Sequence, residues 1–414
     1  MTQPLPRIDG IAPERRPVVA IVFHRFGPYH LARLRAAVKH MTVVGIEMSA
    51  TDRIYAWTAE QSADLQRCVI SPDIDAEPVS RLFAKVSQAL GRARPDAVAI
   101  AGWSHPAALA ALLWCNLRGI PAILMCESAE ADAIRRPWRE RIKRRVVSLF
   151  ASALVGGGPH RRYLAGLGMP PDAIFDGYDV VANDHFVAGA ARVRADAGAA
   201  RVRHALPRPF FLTSSRMIAK KNLFALLGAY REYRVAAGAR AWDLVILGDG
   251  RLMPSVQAAV SRAGLGGHVH LPGFRQYAEL PGYYGLAGAF VLASTTEQWG
   301  LVVNEGMAAG LPVLVSSRCG CSEDLVRPGV NGFVFDPGDA AQLARLLQHV
   351  AADPVMAEAM GAAGQRHIVT WGPDRFGSHL RAAVDHAMAA RRRPRLLALA
   401  WTGLLMFRRE PPDD

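Results

Sequence analysis

Residues 289–316 read AFVLASTTEQWGLVVNEGMAAGLPVLVS, and this stretch decides the fold. An apolar β-type run at 289–295 is followed by helical character at 303–310 and by a second apolar run at 311–316. A strand, a helix and a strand in this order predict a parallel βαβ unit. Glu297 and Glu305 then flank the turn from strand to helix, so we expect both at the carboxyl end of a parallel sheet, where ligands bind in open α/β folds.

The two carboxylates suggest a nucleotide-sugar site. One can accept hydrogen bonds from sugar hydroxyls, while the other, a turn into the helix, can accept from both hydroxyls of a ribose. The spacing alone arises by chance about once in a chain of this length. The alternatives are a helix-dipole role in the first turn for Glu305 and a solvated loop charge for Glu297.

The surrounding sequence distinguishes these alternatives. Four flanking segments accompany the pair: SRMIAKKN at 215–222, LVILGDGRL at 244–252, HVHLPGF at 268–274, and GMAAGLPVLVSSRCGCSEDLVRPGVNGFVFDPGD at 306–339. Together they resemble the family 4 retaining glycosyltransferases, also called glycosyl transferases group 1. The resemblance covers most of residues 210–371 and is weaker through the first half.

That resemblance implies an α/β protein of GT-B architecture, with two Rossmann-like domains whose parallel sheets face a central cleft. The C-terminal helix of this fold crosses back to the first domain, and WGPDRF at 371–376 resembles its start. We predict a first, acceptor-binding domain at 1–195, a second, donor-binding domain at 196–370, and a return helix with a basic and apolar tail at 371–414. The Ala-, Arg- and Gly-rich stretch 187–209 carries no strand signal and is interpreted as the end of the first domain and the linker.

Composition agrees with two domains. The chain has 414 residues, of which 51% are hydrophobic, enough to bury more than one core. Apolar runs stay below the roughly 20 residues of a membrane span, and the start, MTQPLPRIDGIAPERR, lacks the apolar middle of a signal peptide. Five cysteines without a CxxC pair indicate reduced thiols. We expect a cytoplasmic protein.

A formal net charge of +13 calls for an anionic partner. The basic residues concentrate in RRPWRERIKRR at 135–145 and RRRPR at 391–395, without an aromatic RNA platform or a helix-turn-helix signal, so nucleic acid is the least favoured partner. The apolar tail LLALAWTGLLMF at 396–407 is bracketed by arginines. It is predicted to lie on the inner, anionic face of a membrane, and its alternative is a helix buried against the first domain.

The cations Arg216, Lys220 and Lys221 lie between a strand at 210–215 and a helix that starts near Asn222. Because a helix N-terminus disfavours cations, three of them there point to a bound anion, which the backbone amides would also hold. The alternative is an exposed basic loop. The resemblance implies that Arg216 and Lys221 bind the diphosphate of the donor and stabilise its departure, while Lys220 stays solvated.

By the same resemblance, Glu297 holds hydroxyls of the donor sugar and Glu305 holds the ribose. The backbone amides of Trp299, Gly300 and Leu301 line the same pocket. Transfer then proceeds by same-face substitution, with the donor phosphate helping to deprotonate the acceptor.

Other candidate residues follow predicted strands. Gly248 and Gly250 in LGDG allow either close approach to a ligand or a plain tight turn. Phe274 and Arg275 border the nucleobase by resemblance. Gly27 in FHRFGPY stands where the family has a glycine-rich loop beside the donor phosphate, although the usual Gly-Gly pair is absent.

Two residues of the first half are further candidates. His105 is placed to face the sugar by resemblance, or else is a histidine at a helix start. Glu127, at the end of PAILMCE, is expected to point to the cleft, with a structural pairing to Arg135 or Arg136 as the alternative.

The expected partners are a nucleotide-diphosphate sugar and a glycan or lipid-linked acceptor used in cell-surface polysaccharide or glycolipid synthesis. We expect neither a cofactor nor a metal, and we discount the DxD-like Asp73-Ile74-Asp75 because its loop lacks the context of a metal-dependent transferase. Two other functions stay open at this point. One is another GT-B enzyme, such as a nucleotide-sugar epimerase, and the other is a non-catalytic protein that binds sugar nucleotides.

Overall fold

The structure is a computed structural model that describes residues 15–51, 63–207 and 209–390, together with Gly403 and Leu405. Its described part contains two parallel sheets, each flanked by helices. The predictions for the start of the chain and for most of the tail at 396–407 lie outside the described residues. Within the described ranges, no helix has both the length and the apolar character that crossing a bilayer requires.

The first sheet has seven strands in the order β3-β2-β1-β4-β5-β6-β7, all parallel. They are β1 (Val18–Phe23), β2 (Thr42–Ser49), β3 (Arg67–Ser71), β4 (Ala97–Ala101), β5 (Ala122–Cys126), β6 (Ser152–Val155) and β7 (Ile174–Asp176). The connecting helices are α1 (Pro28–Val38), α2 (Val79–Ala93), α3 (Pro106–Arg118), α4 (Pro137–Val147) and α5 (Gly158–Gly166). Strand order reverses between β1 and β4, and such a switch point opens a crevice for ligands.

The strands are continuous apolar runs because both faces of the sheet are covered. Along β1, Ala20 and Val22 enter the core on one side of the sheet, and Val19, Ile21 and Phe23 enter the core on the other. Each of these side chains is at most 1% exposed.

The second sheet has six parallel strands in the order β10-β9-β8-β11-β12-β13. They are β8 (Phe210–Ser214), β9 (Asp243–Leu247), β10 (Val269–Gly273), β11 (Ala289–Leu292), β12 (Val313–Ser316) and β13 (Gly332–Phe335). Its helices are α8 (Leu223–Ala237), α9 (Met253–Arg262), α10 (Leu280–Leu286), α11 (Leu301–Ala308), α12 (Ser322–Leu325), α13 (Ala340–Ala352) and α14 (Pro354–Ile368). The switch point here lies between β8 and β11.

Two helices occupy most of the stretch that the sequence interpretation assigned to the linker, namely α6 (Asn183–Ala195) and α7 (Ala197–His204). The sequence predicted no strand in this stretch, and none forms among its described residues; Phe186 and Ala190 are fully buried in the core of the second sheet. Gly189 allows close contact, since a Cβ there would lie 2.4 Å from Cβ of Pro281. The boundary at residue 195 stays a prediction.

The last long helix, α15 (Pro373–Ala389), packs against the first domain as predicted. A Cβ on Gly377 would lie 2.7 Å from the carbonyl oxygen of Ala36, so α15 and α1 touch backbone to backbone. Where the chain crosses between the two sheets, Asn183 Nδ2 donates to the carbonyl of Ile368 at 2.8 Å. In the tail, Leu405 is partly buried against the core of the first domain, which favours the burial alternative at that position.

Candidate active site

The loop after β8 carries the predicted phosphate ligands, and the loop after β9 supports it. Met217 N donates to the carbonyl of Asp249 at 2.8 Å. Gly248 has φ +119°, and a Cβ there would lie 1.9 Å from the carbonyl oxygen of Ser215. Gly250 has φ +150° and faces the backbone of Met217 in the same way. At both positions a side chain would collide with the neighbouring backbone, so glycine is required there. This close approach shapes the loop that holds Arg216.

An ion pair joins Lys221 to Glu297. Lys221 closes the short turn Ala219–Lys221 just before α8, so its charge stands at a helix N-terminus as the sequence predicted. The two side chains are 11% and 16% exposed, and Glu297 Oε2 also accepts from Ser294 Oγ at 3.2 Å. The fold thus brings together the residue predicted for the phosphates and the one predicted for the sugar hydroxyls.

Glu305 is the fifth residue of α11 and only 1% exposed, so it is not an acid of the first helical turn. Its Oε1 accepts from the hydroxyl of Tyr29 at 2.5 Å, and its Oε2 accepts from Tyr284 at 2.6 Å. Burial raises the pKa of Glu305 to about 7, although the two phenolic hydrogen bonds act in the opposite direction. The sequence predicted Glu305 but contained no signal for either tyrosine.

The loop between Glu297 and Glu305 is held by contacts from both domains. The carbonyl of Gln298 lies 2.8 Å from Nε2 of His160, which belongs to α5 of the first domain. Trp299 is 1% exposed, and its Nε1 donates to Oδ1 of Asn304 at 2.9 Å. Gly300 caps α11 with φ +105°, and Leu301 is the first residue of that helix.

Further contacts between the domains lie beside this loop. The N–H of Gly158 donates to Asp324 Oδ2 at 2.9 Å. Arg162 and Glu323 form two parallel bonds of 2.7 and 2.6 Å. A Cβ on Gly157 would meet Asp324, so the run GGG at 156–158 serves a close approach of the domains. That triple glycine was the sequence signal for this contact, and the sequence interpretation missed it.

Gly27 is the N-cap of α1, where its N–H donates to Nδ1 of His30 at 3.1 Å. Its φ of −112° is open to any residue. Burial, followed by the charges of Arg33 and His24, lowers the pKa of His30 to about 3 and keeps this ring a neutral acceptor.

His105 is the N-cap of α3 and accepts from the N–H of Ala107 at 3.1 Å. Its other nitrogen, Nε2, lies 3.1 Å from Oδ1 of Asp75. This geometry matches the alternative of a histidine at a helix start. In the described ranges, no three His, Cys, Asp or Glu side chains come together as metal ligands, and Asp73 hydrogen bonds to the N–H of Asp75.

A cavity of about 220 Å³ lies at the carboxyl ends of β4 and β5. Its lining comprises Gly102, Trp103, Ser104, Met125, Cys126, Glu127, Ser128 and Tyr178 of the first domain and Gln298 of the second. Glu127 thus faces the cleft, as predicted from strand order. Its predicted alternative partner, Arg135, contacts the carbonyls of Ala129 and Glu130 and lies 3.9 Å from Glu140.

Behind this cavity lies a buried charge cluster that the sequence interpretation missed. Asp179 is fully buried, and burial together with the charge of Glu127 raises its pKa well above the usual range. Nη2 of Arg33, itself 2% exposed, lies 3.7 Å from Oδ1 of Asp179. The sequence signal for this cluster was the aspartate in the otherwise apolar run YDVV at 178–181.

Phe274 and Arg275 follow β10 at the same sheet edge. Nε of Arg275 donates to the hydroxyl of Tyr283 at 2.6 Å, and its Nη1 donates to the carbonyl of Phe274 at 3.1 Å. The candidate side chains of the second domain thus line the carboxyl ends of β8 to β11, opposite the first-domain loops that carry Gly27 and Glu127.

Comparison with known proteins identifies the class. Residues 199–367 match the model of the family glycosyl transferases group 1. A GDP-mannose-dependent alpha-(1-6)-phosphatidylinositol monomannoside mannosyltransferase of Mycolicibacterium smegmatis is 31% identical over 183 residues, which are 42% of this chain and 46% of that protein. The lipopolysaccharide core biosynthesis glycosyltransferase LpsE of Rhizobium meliloti is 27% identical over 161 residues, or 39% of this chain and 45% of LpsE.

Among solved structures, HepE of Anabaena in complex with UDP superposes with a TM-score of 0.66 at 16% sequence identity, over 88% of this chain and 98% of that one. Residues 199–367 thus match the glycosyl transferases group 1 family, and the two sheets of the chain form the GT-B fold. Both predictions from the sequence are confirmed. The chain spans less than half the length of the two curated relatives named above.

Proposed function

We propose that this protein is a retaining glycosyltransferase that moves a sugar from a nucleotide diphosphate to a glycan or lipid-linked acceptor. The observation that carries the proposal is the Lys221–Glu297 ion pair, formed between the loop after β8, which also carries Arg216, and the loop after β11. A cation for the phosphates and a carboxylate for the sugar hydroxyls are the two groups that a nucleotide sugar needs at its reacting end.

Lys221 and Glu297 neutralise each other in this ion pair. A donor that inserts between them gives each charged group a new partner, because its phosphate pairs with Lys221 while its sugar hydroxyls donate to Glu297. The bond between the anomeric carbon and the phosphate oxygen then breaks, and its electron pair goes to the diphosphate, whose charge Lys221 and Arg216 stabilise. The acceptor oxygen bonds to the same face of the sugar, and its proton passes to a phosphate oxygen.

These cations supply the stabilisation that a divalent ion gives in other transferases, so we propose that no metal is required. The names of two relatives, one acting on phosphatidylinositol monomannoside and one in lipopolysaccharide core synthesis, support a lipid-linked or glycan acceptor. The cavity beside Glu127 lies next to Gln298 and offers room for an acceptor sugar.

We further propose that the protein works at the cytoplasmic face of an anionic membrane. Helix α4 and the turn before it expose Ile134 by 91% and Trp138 by 46%, beside the exposed Arg139 and Arg141. Apolar side chains inserted at the interface with arginines at the level of lipid phosphates form a favourable docking surface. This surface follows β5 and Glu127 in the chain, so a docked protein would keep its acceptor cavity near the lipids.

A panel of UDP-, GDP-, ADP- and dTDP-sugars tests the proposal, with two readouts for each donor. A bound donor raises the melting temperature in proportion to its affinity. A turned-over donor releases a nucleoside diphosphate. We expect one donor class to do both, and a panel in which every donor leaves the melting temperature unchanged would contradict the proposal.

A further inference from the structure

The carboxylate of Glu305 is shared between the two domains. Tyr29, the second residue of α1, belongs to the first domain, yet its hydroxyl donates to Glu305 Oε1 at 2.5 Å. Tyr284 of α10 donates to Oε2 from within the second domain. Glu305 therefore joins one partner of its own domain to one partner that arrives across the cleft.

The ring of Tyr29 is also seated on the second domain. It meets the ring of Tyr277 edge-on, with centroids 5.6 Å apart, and Tyr277 in turn stacks on His185 at 4.2 Å. Tyr29 packs against the core of the second sheet even though Gly27, two residues earlier, starts a first-domain helix. Its position thus depends on how closely the two domains approach.

This arrangement conflicts with a ribose at the same carboxylate. Ribose hydroxyls are donors, and two of the about four acceptor sites of this carboxylate are already filled by the phenols that cover it. Glu305 is only 1% exposed, so a nucleotide reaches it only after one tyrosine withdraws. Tyr284 is fully buried in the second core, whereas Tyr29 is partly exposed at the end of a loop, so Tyr29 is the one that can leave.

We propose that Tyr29 is a positioning residue whose hydroxyl holds the ribose-binding carboxylate Glu305 and is displaced by the nucleoside diphosphate of the donor. The proposal rests on the proposed function, since it assigns the ribose to Glu305. Donor binding then replaces the Tyr29–Glu305 contact between the domains with a contact between Glu305 and the ribose of the ligand. The loop that carries Gly27 moves with Tyr29, which links occupation of the site to the arrangement of the domains.

The test measures binding of UDP, GDP, ADP and dTDP to the full chain by calorimetry and stopped flow. Tyr29→Phe removes one hydroxyl and keeps the ring. The matched control is Tyr163→Phe, because Tyr163 also donates to a glutamate, Glu140, at 2.8 Å, but within the first domain. Thermal unfolding of each variant checks that it is folded.

Removing the competing hydrogen bond should tighten binding of the preferred nucleotide by about tenfold, mainly through faster association, while the control stays at the wild-type value. Glu305→Gln should weaken binding, and in that background Tyr29→Phe should change the affinity by less than twofold, because the two residues act through one bond. A coupling of this kind would not arise from a merely structural tyrosine.

Two outcomes would overturn the inference while leaving the proposed function intact: Tyr29→Phe binding the nucleotide as wild type does, or binding it more weakly. The second would make Tyr29 a direct nucleotide contact. If UDP, GDP, ADP and dTDP all fail to bind wild type and every variant, the proposed function itself fails and this inference falls with it.

Discussion

The ammonium group of Lys221 and the carboxylate of Glu297 form an ion pair across 76 positions of sequence. The pair joins the loop after β8 to the loop after β11, the two strands that flank the switch point of the second sheet. Because both side chains are mostly buried, neither charge is fully screened by water. Removing one of them changes the local charge at the place where a diphosphate is proposed to bind.

Lys221→Ala should therefore lower the turnover of sugar transfer by about two to three orders of magnitude, because one key donor to a developing anion contributes about 3 to 4 kcal/mol. The variant loses a cation and also leaves Glu297 without its partner, which repels phosphate. Lys220→Ala is the control, since the neighbouring lysine was predicted to be solvated. Steady-state kinetics of both variants with the best donor checks this, and a Lys221→Ala enzyme within a few-fold of wild type would remove the phosphate assignment.

Glu305 should make stability depend on pH in a defined direction. Its pKa rises from 4.5 to about 7 on folding, so the folded state binds the proton more tightly, and the free energy of unfolding falls as pH rises between these values. Glu305→Gln lacks this dependence. From pH 4.5 to pH 7.5, the stability of the variant relative to wild type should increase by about 3 kcal/mol. Urea unfolding at both pH values measures it, and a constant difference would show that the folded-state pKa is ordinary.

Gly377→Ala should destabilise the first domain through the return helix. The added methyl would lie 2.7 Å from the carbonyl oxygen of Ala36, and overpacking of this kind costs about 1 to 3 kcal/mol. Gly91→Ala is the matched control, because Gly91 lies in α2 with open space around its Cβ position, and alanine there should stabilise the helix by about 1 kcal/mol. Equal melting temperatures for the two variants would argue against close docking of α15 on α1.

Chelation should leave sugar transfer intact, because Arg216 and Lys221 are proposed to balance the charge of the leaving group. The measurement is the initial rate before and after dialysis against EDTA. Loss of activity that added Mg²⁺ restores would contradict the proposal and direct attention back to Asp73 and Asp75.

Charge reversal on α4 should weaken binding to anionic membranes. Arg139→Glu with Arg141→Glu is expected to reduce affinity for phosphatidylglycerol vesicles by at least about tenfold, given about 1 kcal/mol per basic residue near such a surface. A second-domain pair, Arg240→Glu with Arg262→Glu, controls for net charge. If the α4 variant still co-sediments like wild type, the α4 assignment is wrong. Repeating the assay after deletion of residues 394–414 would then assign the binding to the tail or to another surface.

The sequence predicted much of this architecture. Strands such as β1 and β11 are apolar on both faces, and the pattern from β11 through α11 to β12 placed Glu297 correctly at a sheet edge. Two strands, β3 and β7, are harder to read from sequence because they have only 5 and 3 residues. The return helix was predicted because the resemblance supplied its direction.

The contacts between the domains could not be predicted from the sequence, for a different reason. The bond from Tyr29 to Glu305 spans 276 positions and depends on how two independently folded sheets approach each other. Local periodicity contains no information about that distance. His105 shows a different limit, since a histidine before a proline reads equally well as a ligand or as the helix cap that it forms.

The chain passes between its two sheets at Asn183 and again at Ile368, and a hydrogen bond ties these passages together. The two crossings, joined by this hydrogen bond, form the hinge between the domains. We therefore expect relative motion of the two domains to be a rotation about this point. Because the second crossing delivers α15 to the first domain, the first domain is built from two separate pieces of polypeptide, whereas the second domain is contiguous. A chain truncated after residue 370 would lack α15 and would expose an apolar groove on the first domain. Residues 371–390, supplied as a separate peptide, should bind in that groove.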